Sequence, residues 1–154
     1  MFSALDARGA VVDALVLDLY AGTGALAIEA LSRGAGRAVL VERDPAALQA
    51  ISANLAGVGF AERARVMRAE VTRFVAGPPP ADGPFDLVFV DPPYDVADDD
   101  VTKVCGALLA PGWLTPDAIV VVEGPARHDV LAPAGLVRGW ERTFGDTLLT
   151  FLWR

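Results

Sequence analysis

Short runs of almost unbroken apolar residues, each separated from the next by a helix-forming stretch, constrain this chain more than any other feature. Leu15–Leu19, Arg37–Glu42, Phe85–Val90 and 118–122 are too short for buried helices and too uniformly apolar for half-exposed strands. They read as strands buried on both faces. Segment 64–67 gives a fainter strand signal. Between these runs, 25–33 carries Leu26, Ile28, Ala30 and Leu31 among good helix formers. Asp44-Pro45 supplies an N-cap and a first-turn proline for a helix that reaches about Leu55 and stops near Gly57 and Gly59. Shorter helices fit Val71–Val75 and 101–109, and 77–80, Gly-Pro-Pro-Pro, reads as an exposed loop. Strands alternating with helices imply a mostly parallel sheet with helices on both faces. After Leu136 the pattern changes: Val137–Phe144 and Thr147–Trp153 flank Gly145-Asp146, a hairpin turn that finishes one edge antiparallel. The expected fold is α/β, with a seven-stranded sheet.

At roughly 100 to 200 residues per domain, 154 residues predict a single domain, here 1–154. Apolar types at 53% and charged types at 21% exclude intrinsic disorder for most of the chain. Twenty acids against thirteen bases give a net charge of −7, which argues against broad electrostatic binding of nucleic acid by this chain alone. One cysteine, Cys105, excludes an internal disulfide and a multi-thiolate zinc site, and it reads as a small buried group on a helix. The acidic triplet 98–100 reads as a solvated helix entrance rather than a metal site, and no metal is expected. Asp6, Arg8, Asp13 and Asp18 interrupt the apolar N-terminus, and no stretch approaches the ~18 apolar residues of a membrane helix. A soluble, cytoplasmic monomer without membrane contact is expected.

The first chemical motif is Asp18-Leu19-Tyr20-Ala21-Gly22-Thr23-Gly24-Ala25-Leu26-Ala27. It places two glycines at a strand-to-helix turn, where backbone can approach a ligand closely, and a small residue, Ala27, where helix must pack on strand. Glu42 lies eighteen residues after Gly24, at the end of the next strand, where a carboxylate can accept hydrogen bonds from both hydroxyls of a ribose. An adenosine-containing cofactor is expected across this turn. Two candidates compete. A dinucleotide such as NAD would set a pyrophosphate at the helix N-terminus; S-adenosylmethionine has no phosphate and carries an ammonium and a sulfonium. Asp18, just before the glycines, would repel the first and could attract the second, or it could simply satisfy turn amides. The glycine loop alone leaves both open.

The second motif is Asp91-Pro92-Pro93-Tyr94, directly after an apolar strand. In open α/β sheets that edge is where ligands bind. Consecutive prolines restrict φ and bias each preceding residue to extended geometry, so the Asp91 side chain and the Pro92 carbonyl are held in place. Two such acceptors can grip a planar amine, while Tyr94 stacks on the ring that bears it. An amine conjugated to a base is a poor nucleophile; acceptors on its hydrogens draw the nitrogen toward tetrahedral geometry and free its lone pair for in-line attack on a sulfonium methyl. Catalysis is then mainly positioning and electrostatic complementarity, on a base that is flipped out or already unpaired.

These segments resemble a known family. The run Val16-Leu17-Asp18-Leu19-Tyr20-Ala21-Gly22-Thr23-Gly24-Ala25-Leu26, continuing through Glu29-Ala30-Leu31-Ser32-Arg33-Gly34-Ala35, is similar to the class I S-adenosylmethionine-dependent methyltransferases. More narrowly it resembles the bacterial 16S ribosomal RNA guanine-N2 methyltransferases of the RsmD type. Val41-Glu42-Arg43, the segment from Glu70 to Phe74, Phe89-Val90-Asp91-Pro92-Pro93-Tyr94, Gly112-Trp113-Leu114 and the strand ending at Glu123 also look alike. The resemblance implies a Rossmann-like class I methyltransferase fold and S-adenosyl-L-methionine as cofactor. It also implies methyl transfer to the exocyclic N2 amine of a guanine in 16S rRNA, naked or in the assembled small ribosomal subunit. Asp18, Tyr20, Ala21, Gly22 and Gly24 would frame the methionine end, Glu42 the ribose, and Glu70 with Val71 the adenine. Arg43 would cover the adenine or stand exposed. Asp91, Pro92, Pro93 and Tyr94 would hold the target amine, with Asp91 also beside the cofactor. Glu70 departs from the Asp or Asn more usual there. Family members also carry a longer, Arg-rich N-terminal segment before the equivalent of Met1, so this chain is expected to bind the cofactor but to methylate ribosomal substrate poorly.

Asp-Pro-Pro-Tyr is shared with adenine-N6 methyltransferases acting on DNA or RNA, which stay open as an alternative, as do an NAD-dependent oxidoreductase and a non-catalytic cofactor-binding module. Arg63, Arg65, Arg68 and Arg73 fall within eleven residues and form either a phosphate-tracking patch or a solvated face. His128 reads as exposed, and Trp113, Trp140 and Trp153 as core or edge anchors.

Overall fold

Each apolar run becomes a strand and each intervening stretch a helix. The computed structural model describes residues 1–126 and 132–154, so His128 lies outside the described residues. In chain order the elements are α1 (Phe2–Asp6), β1 (Leu15–Leu19), α2 (Ala25–Ser32), β2 (Arg37–Glu42), α3 (Pro45–Gly57), β3 (Ala64–Arg68) and α4 (Val71–Val75). They continue with β4 (Phe85–Val90), α5 (Asp98–Ala107), β5 (Leu114–Pro125), β6 (Val137–Phe144) and β7 (Thr147–Trp153). The strands form one sheet in the order β3-β2-β1-β4-β5-β7-β6. β1 to β5 are parallel, and β7 runs antiparallel between β5 and β6.

Strand side chains alternate between two cores, which is why the central strands contain almost nothing polar. Val16, Leu87, Phe89 and Val121 meet Leu5, Leu31 and Ile51 of α1, α2 and α3. Leu17, Val88, Val90 and Val120 meet Val75, Val104 and Cys105 of α4 and α5. Asp86, the one charge in the β4 run, accepts a hydrogen bond from Leu15 N at 2.8 Å and so closes the start of β1. Asp44 caps α3 through Ala47 N at 2.8 Å, with Pro45 in its first turn.

Four sequence expectations shift. Helix α1 has no counterpart in the sequence reading: it is five residues long with no side-chain cap, and it forms because Leu5 is buried and Phe2 packs on Phe89 at 5.7 Å. Strand β5 is longer than 118–122, because Leu114 pairs with Phe85 ahead of a register shift that Pro116 and Asp117 had hidden. Helix α5 begins at Asp98, so the acidic triplet is its first turn. The Pro-rich loop is only partly exposed: Pro79 and Pro80 are half-buried, and a Cβ on Gly112 (φ +92°) would sit 2.9 Å from the Pro79 ring.

This topology determines where a ligand can sit. From β1 the chain moves outward through β2 to β3, then returns to β4 on the other side of β1. The crevice beyond the carboxyl ends of β1 and β4 is the switch point at which open α/β sheets bind ligands. The glycine turn follows β1, and Asp91-Pro92-Pro93-Tyr94 follows β4.

Candidate active site

The turn after β1 is held in an uncommon conformation. Tyr20 adopts φ +62°, a left-handed region that non-glycine residues seldom occupy and that clusters at functional sites. Ala21 N donates to Val41 O at 3.1 Å, fixing the turn against β2. The two glycines divide the work. Gly22 (φ +56°) has open space where a Cβ would be, with no atom nearer than Tyr20 O at 4.0 Å, and it lines the crevice. Gly24 (φ +81°) faces inward: a Cβ there would meet Leu40 at 3.1 Å and Ile51 at 3.4 Å. Gly24 thus serves the seating of α2 on β2 and α3. Neither Gly24 nor Ala21 lines the crevice.

Asp18 serves the turn amides, one of the two uses left open for it by the sequence. Its side chain is buried beneath the turn, outside the crevice lining, and accepts a hydrogen bond from Ala27 N at 3.1 Å. It holds strand to helix. Burial pushes its pKa up to about 7 against the pull of the Ala27 amide, and the charges of Asp91 and Glu42 push the same way. Above the ordinary carboxylate value the unfolded chain ionises this acid while the folded chain keeps the proton. Stability therefore falls as pH rises from about 4 to about 7 and then levels. Asp18→Asn keeps an oxygen for Ala27 and loses the titration. Its thermal midpoint should gain on the parent's across that range by at least about 1 kcal/mol, roughly 2–4 °C; a constant difference between the two would contradict the assignment.

Glu42, at the end of β2, ties two turns together. Its Oε2 accepts from Gly22 N at 2.9 Å, and its Oε1 from Arg43 N at 2.7 Å and Asp44 N at 2.9 Å. A carboxylate has about four acceptor sites, so one remains, and serving two ribose hydroxyls requires the Gly22 amide to yield. Glu70 caps α4, accepting from Thr72 N at 3.1 Å, Thr72 Oγ1 at 2.5 Å and Arg73 N at 2.9 Å. Partial burial pushes its pKa up, but these hydrogen bonds and the Arg43 charge outweigh it and hold the carboxyl below its ordinary value. Val71 is buried next to it and lines the crevice.

On the β4 side, Asp91 N reaches Leu19 O at 3.4 Å, and Val96 N bonds Pro93 O at 3.0 Å, closing the turn. Desolvation at the crevice wall, reinforced by the Glu123 charge, raises the Asp91 pKa to about 6. Tyr94 is 81% exposed, so its ring is committed to nothing inside the chain.

One cavity of about 720 Å³ takes in Tyr20, Gly22, Glu42, Arg43, Glu70 and Val71 on one side and Asp91 to Tyr94 on the other. It also contains Asp95, Asp100, Glu123, Gly124, Pro125 and Thr147, which the sequence reading missed as site residues. Of these, Glu123 was within reach of sequence reasoning: like Glu42, it is a carboxylate closing an apolar strand. Six carboxylates against the single guanidinium of Arg43 make the cavity strongly anionic. Such a wall suits a cation and repels a pyrophosphate.

The arginine cluster separates. Arg63 is structural, donating to the carbonyls of Leu31, Ala35 and Gly36 and lying over the Phe60 ring. Arg65 pairs with Asp82 at 2.6 Å. Arg68 and Arg73 instead share with Arg43 and Phe74 a depression adjoining the cavity.

A sheet of this order, with a reversed strand set between the last parallel one and the edge, is the architecture of class I methyltransferases, and this chain has that fold. Its residues 1–153 match the family described as conserved hypothetical protein 95, and the chain belongs to that family. It is 40% identical over 118 residues to ribosomal RNA small subunit methyltransferase D of Escherichia coli strain K12, covering 77% of this chain and 57% of that protein. The Haemophilus influenzae protein of the same name is 30% identical over 132 residues, covering 84% and 66%. Among solved structures, Escherichia coli yhhF, named as a candidate methyltransferase, superposes with a TM-score of 0.87 at 34% identity, covering 99% of this chain and 82% of that one. The chain thus spans little more than half the length of the Escherichia coli enzyme it matches. No helix among the described residues is long and apolar enough to cross a membrane.

Proposed function

We propose that this domain binds S-adenosylmethionine and transfers its methyl group to the exocyclic N2 amine of a guanine in small-subunit ribosomal RNA. The observation that carries the reading is the meeting of two motifs, the Gly22 turn with Glu42 and the Asp91-Pro92-Pro93-Tyr94 turn, on one anionic cavity at the switch point. The charge of that cavity favours a sulfonium and ammonium over a dinucleotide, which sets the oxidoreductase reading aside. The names of the Escherichia coli and Haemophilus influenzae relatives support a ribosomal RNA substrate.

The residues fit the cofactor: Gly22 leaves backbone open to it, Glu42 keeps an acceptor for a ribose hydroxyl, and Val71 offers an apolar contact for a purine beside Glu70. When bound, S-adenosylmethionine supplies a methyl group on positively charged sulfur. The chain's own part is to prepare the nucleophile. Tyr94 gives the flipped or unpaired base an exposed ring to stack on, worth about 1–3 kcal/mol. The Asp91 carboxylate and the Pro92 carbonyl accept the amine hydrogens and direct its lone pair at the methyl carbon. Once the nitrogen had been methylated, Asp91 or water would take its surplus proton. Since the cavity repels phosphate, backbone contacts fall to its flank, where Arg68 and Arg73 stand.

Calorimetry with S-adenosylmethionine and with NADH tests the cofactor, and tritiated methyl transfer to small subunits from methylation-deficient cells, followed by nucleoside analysis, tests the product. Binding of the first ligand alone and N2-methylguanosine are expected. Equal binding of NADH, or label on adenine, would overturn the reading.

A further inference from the structure

We propose that Glu123 accepts the ring N1–H of the target base and thereby selects guanine from the other amino-bearing bases. The inference rests on the reading above and adds the residue that sets its specificity.

β4 and β5 run parallel in register, with Val88 opposite Val120 and Val90 opposite Val122. The residues that follow, Asp91 and Glu123, therefore stand side by side at the same edge of the sheet, and both line the cavity. Glu123 is the charged neighbour that acts on Asp91. It is half-buried, its backbone pairs with Leu149 of β7, and among the described residues its carboxylate makes no hydrogen bond or ion pair. Burial raises its pKa, with the Met1 ammonium acting in the opposite sense. A carboxylate placed uncommitted beside another in a partly desolvated cleft requires a donor to offset repulsion and lost hydration.

The bases differ in what they offer there. Guanine presents its N2 amine beside a protonated ring N1, so two neighbouring N–H groups point the same way. The amines of adenine and cytosine lie beside a ring nitrogen that carries a lone pair instead. Asp91 on an amine hydrogen and Glu123 on N1–H satisfy guanine with two charge-assisted hydrogen bonds. Adenine or cytosine in the same pose turns a lone pair toward the Glu123 carboxylate, which is repulsive. The Asp-Pro-Pro-Tyr turn recognises an amine, and Glu123 reports which ring the amine is attached to.

The test compares the parent with Glu123→Gln on reconstituted small subunits. Their rRNA, joined from two pieces, carries guanine or 2,6-diaminopurine at the nucleotide that the parent methylates. Diaminopurine keeps the N2 amine but has a bare N1. The parent should prefer guanine by about a hundredfold or more. Glu123→Gln, whose amide can donate to a bare N1, should shift that preference toward diaminopurine by roughly tenfold or more; the lost wall charge alters cofactor binding and stability equally for both substrates and so cancels from the ratio. A purely structural role would not move the ratio. An unchanged ratio with guanine methylation intact would overturn the role of Glu123 alone, while methyl transfer to adenine by the parent would overturn it together with the guanine reading.

Discussion

Asp91→Ala should lower kcat for methyl transfer about 10²- to 10³-fold, the usual consequence of removing one preorganised polar group aimed at the reacting atoms, with a smaller change in KM. The backbone of Asp91 is fixed at the carboxyl end of β4 by the bond of its N to Leu19 O and by the two prolines that follow, so the carboxylate projects from a set position on the cavity wall. Asp91→Asn keeps one acceptor oxygen and should fall between parent and alanine variant. The pH profile separates charge from shape. Burial and Glu123 raise the Asp91 pKa to about 6, and the ionised form is the better acceptor. In the parent, kcat/KM should therefore climb about tenfold per pH unit below 6 and flatten above it; Asp91→Asn should lack that limb. Full methyl-transfer activity in the alanine variant would show that Asp91 does not prepare the nucleophile.

Trp113→Ala should be the most destabilising single change of those considered, by about 3–5 kcal/mol. Trp113 is fully buried, meets Phe74 of α4 edge-on at 5.4 Å, and accepts at its backbone carbonyl from Phe85 N at 2.8 Å. It thus joins the turn before β5 to α4 and to the start of β4. Against a typical total of about 5–15 kcal/mol the loss is severe, and the thermal midpoint should drop by roughly 6–20 °C at 2–4 °C per kcal/mol. Calorimetric unfolding reads this directly; a shift of less than about 2 °C would show that the ring is not anchored there.

The central strands were legible in the sequence because burial on both faces leaves an apolar block too short for a helix and ending at turn residues, whereas the edge hairpin, whose strand β6 is almost wholly exposed, was legible from its turn. The 137–153 hairpin falls where Gly145-Asp146 places it. Helix α1 was not legible, since its stability comes from Phe2 against Phe89, a contact between residues far apart in the chain. The same limit applies to Asp18 and Gly24. The glycine motif left Asp18 open between a ligand and the turn amides and gave no sign of the packing on Gly24; the structure has Asp18 hold Ala27 N and Gly24 leave room for Leu40 and Ile51. A motif marks the neighbourhood of a site; which members face the ligand and which face the core depends on neighbours brought in by other strands. Glu123 shows the converse, a residue outside either motif that the β4–β5 register carries to the same edge.

The ring of carboxylates around the cavity has a consequence for turnover. A chamber walled by anions favours the incoming donor for its extra positive charge over the same molecule after that charge has gone. Under the proposed chemistry the spent thioether is that discharged molecule, so the electrostatics that draw reagent in also hasten the departure of by-product.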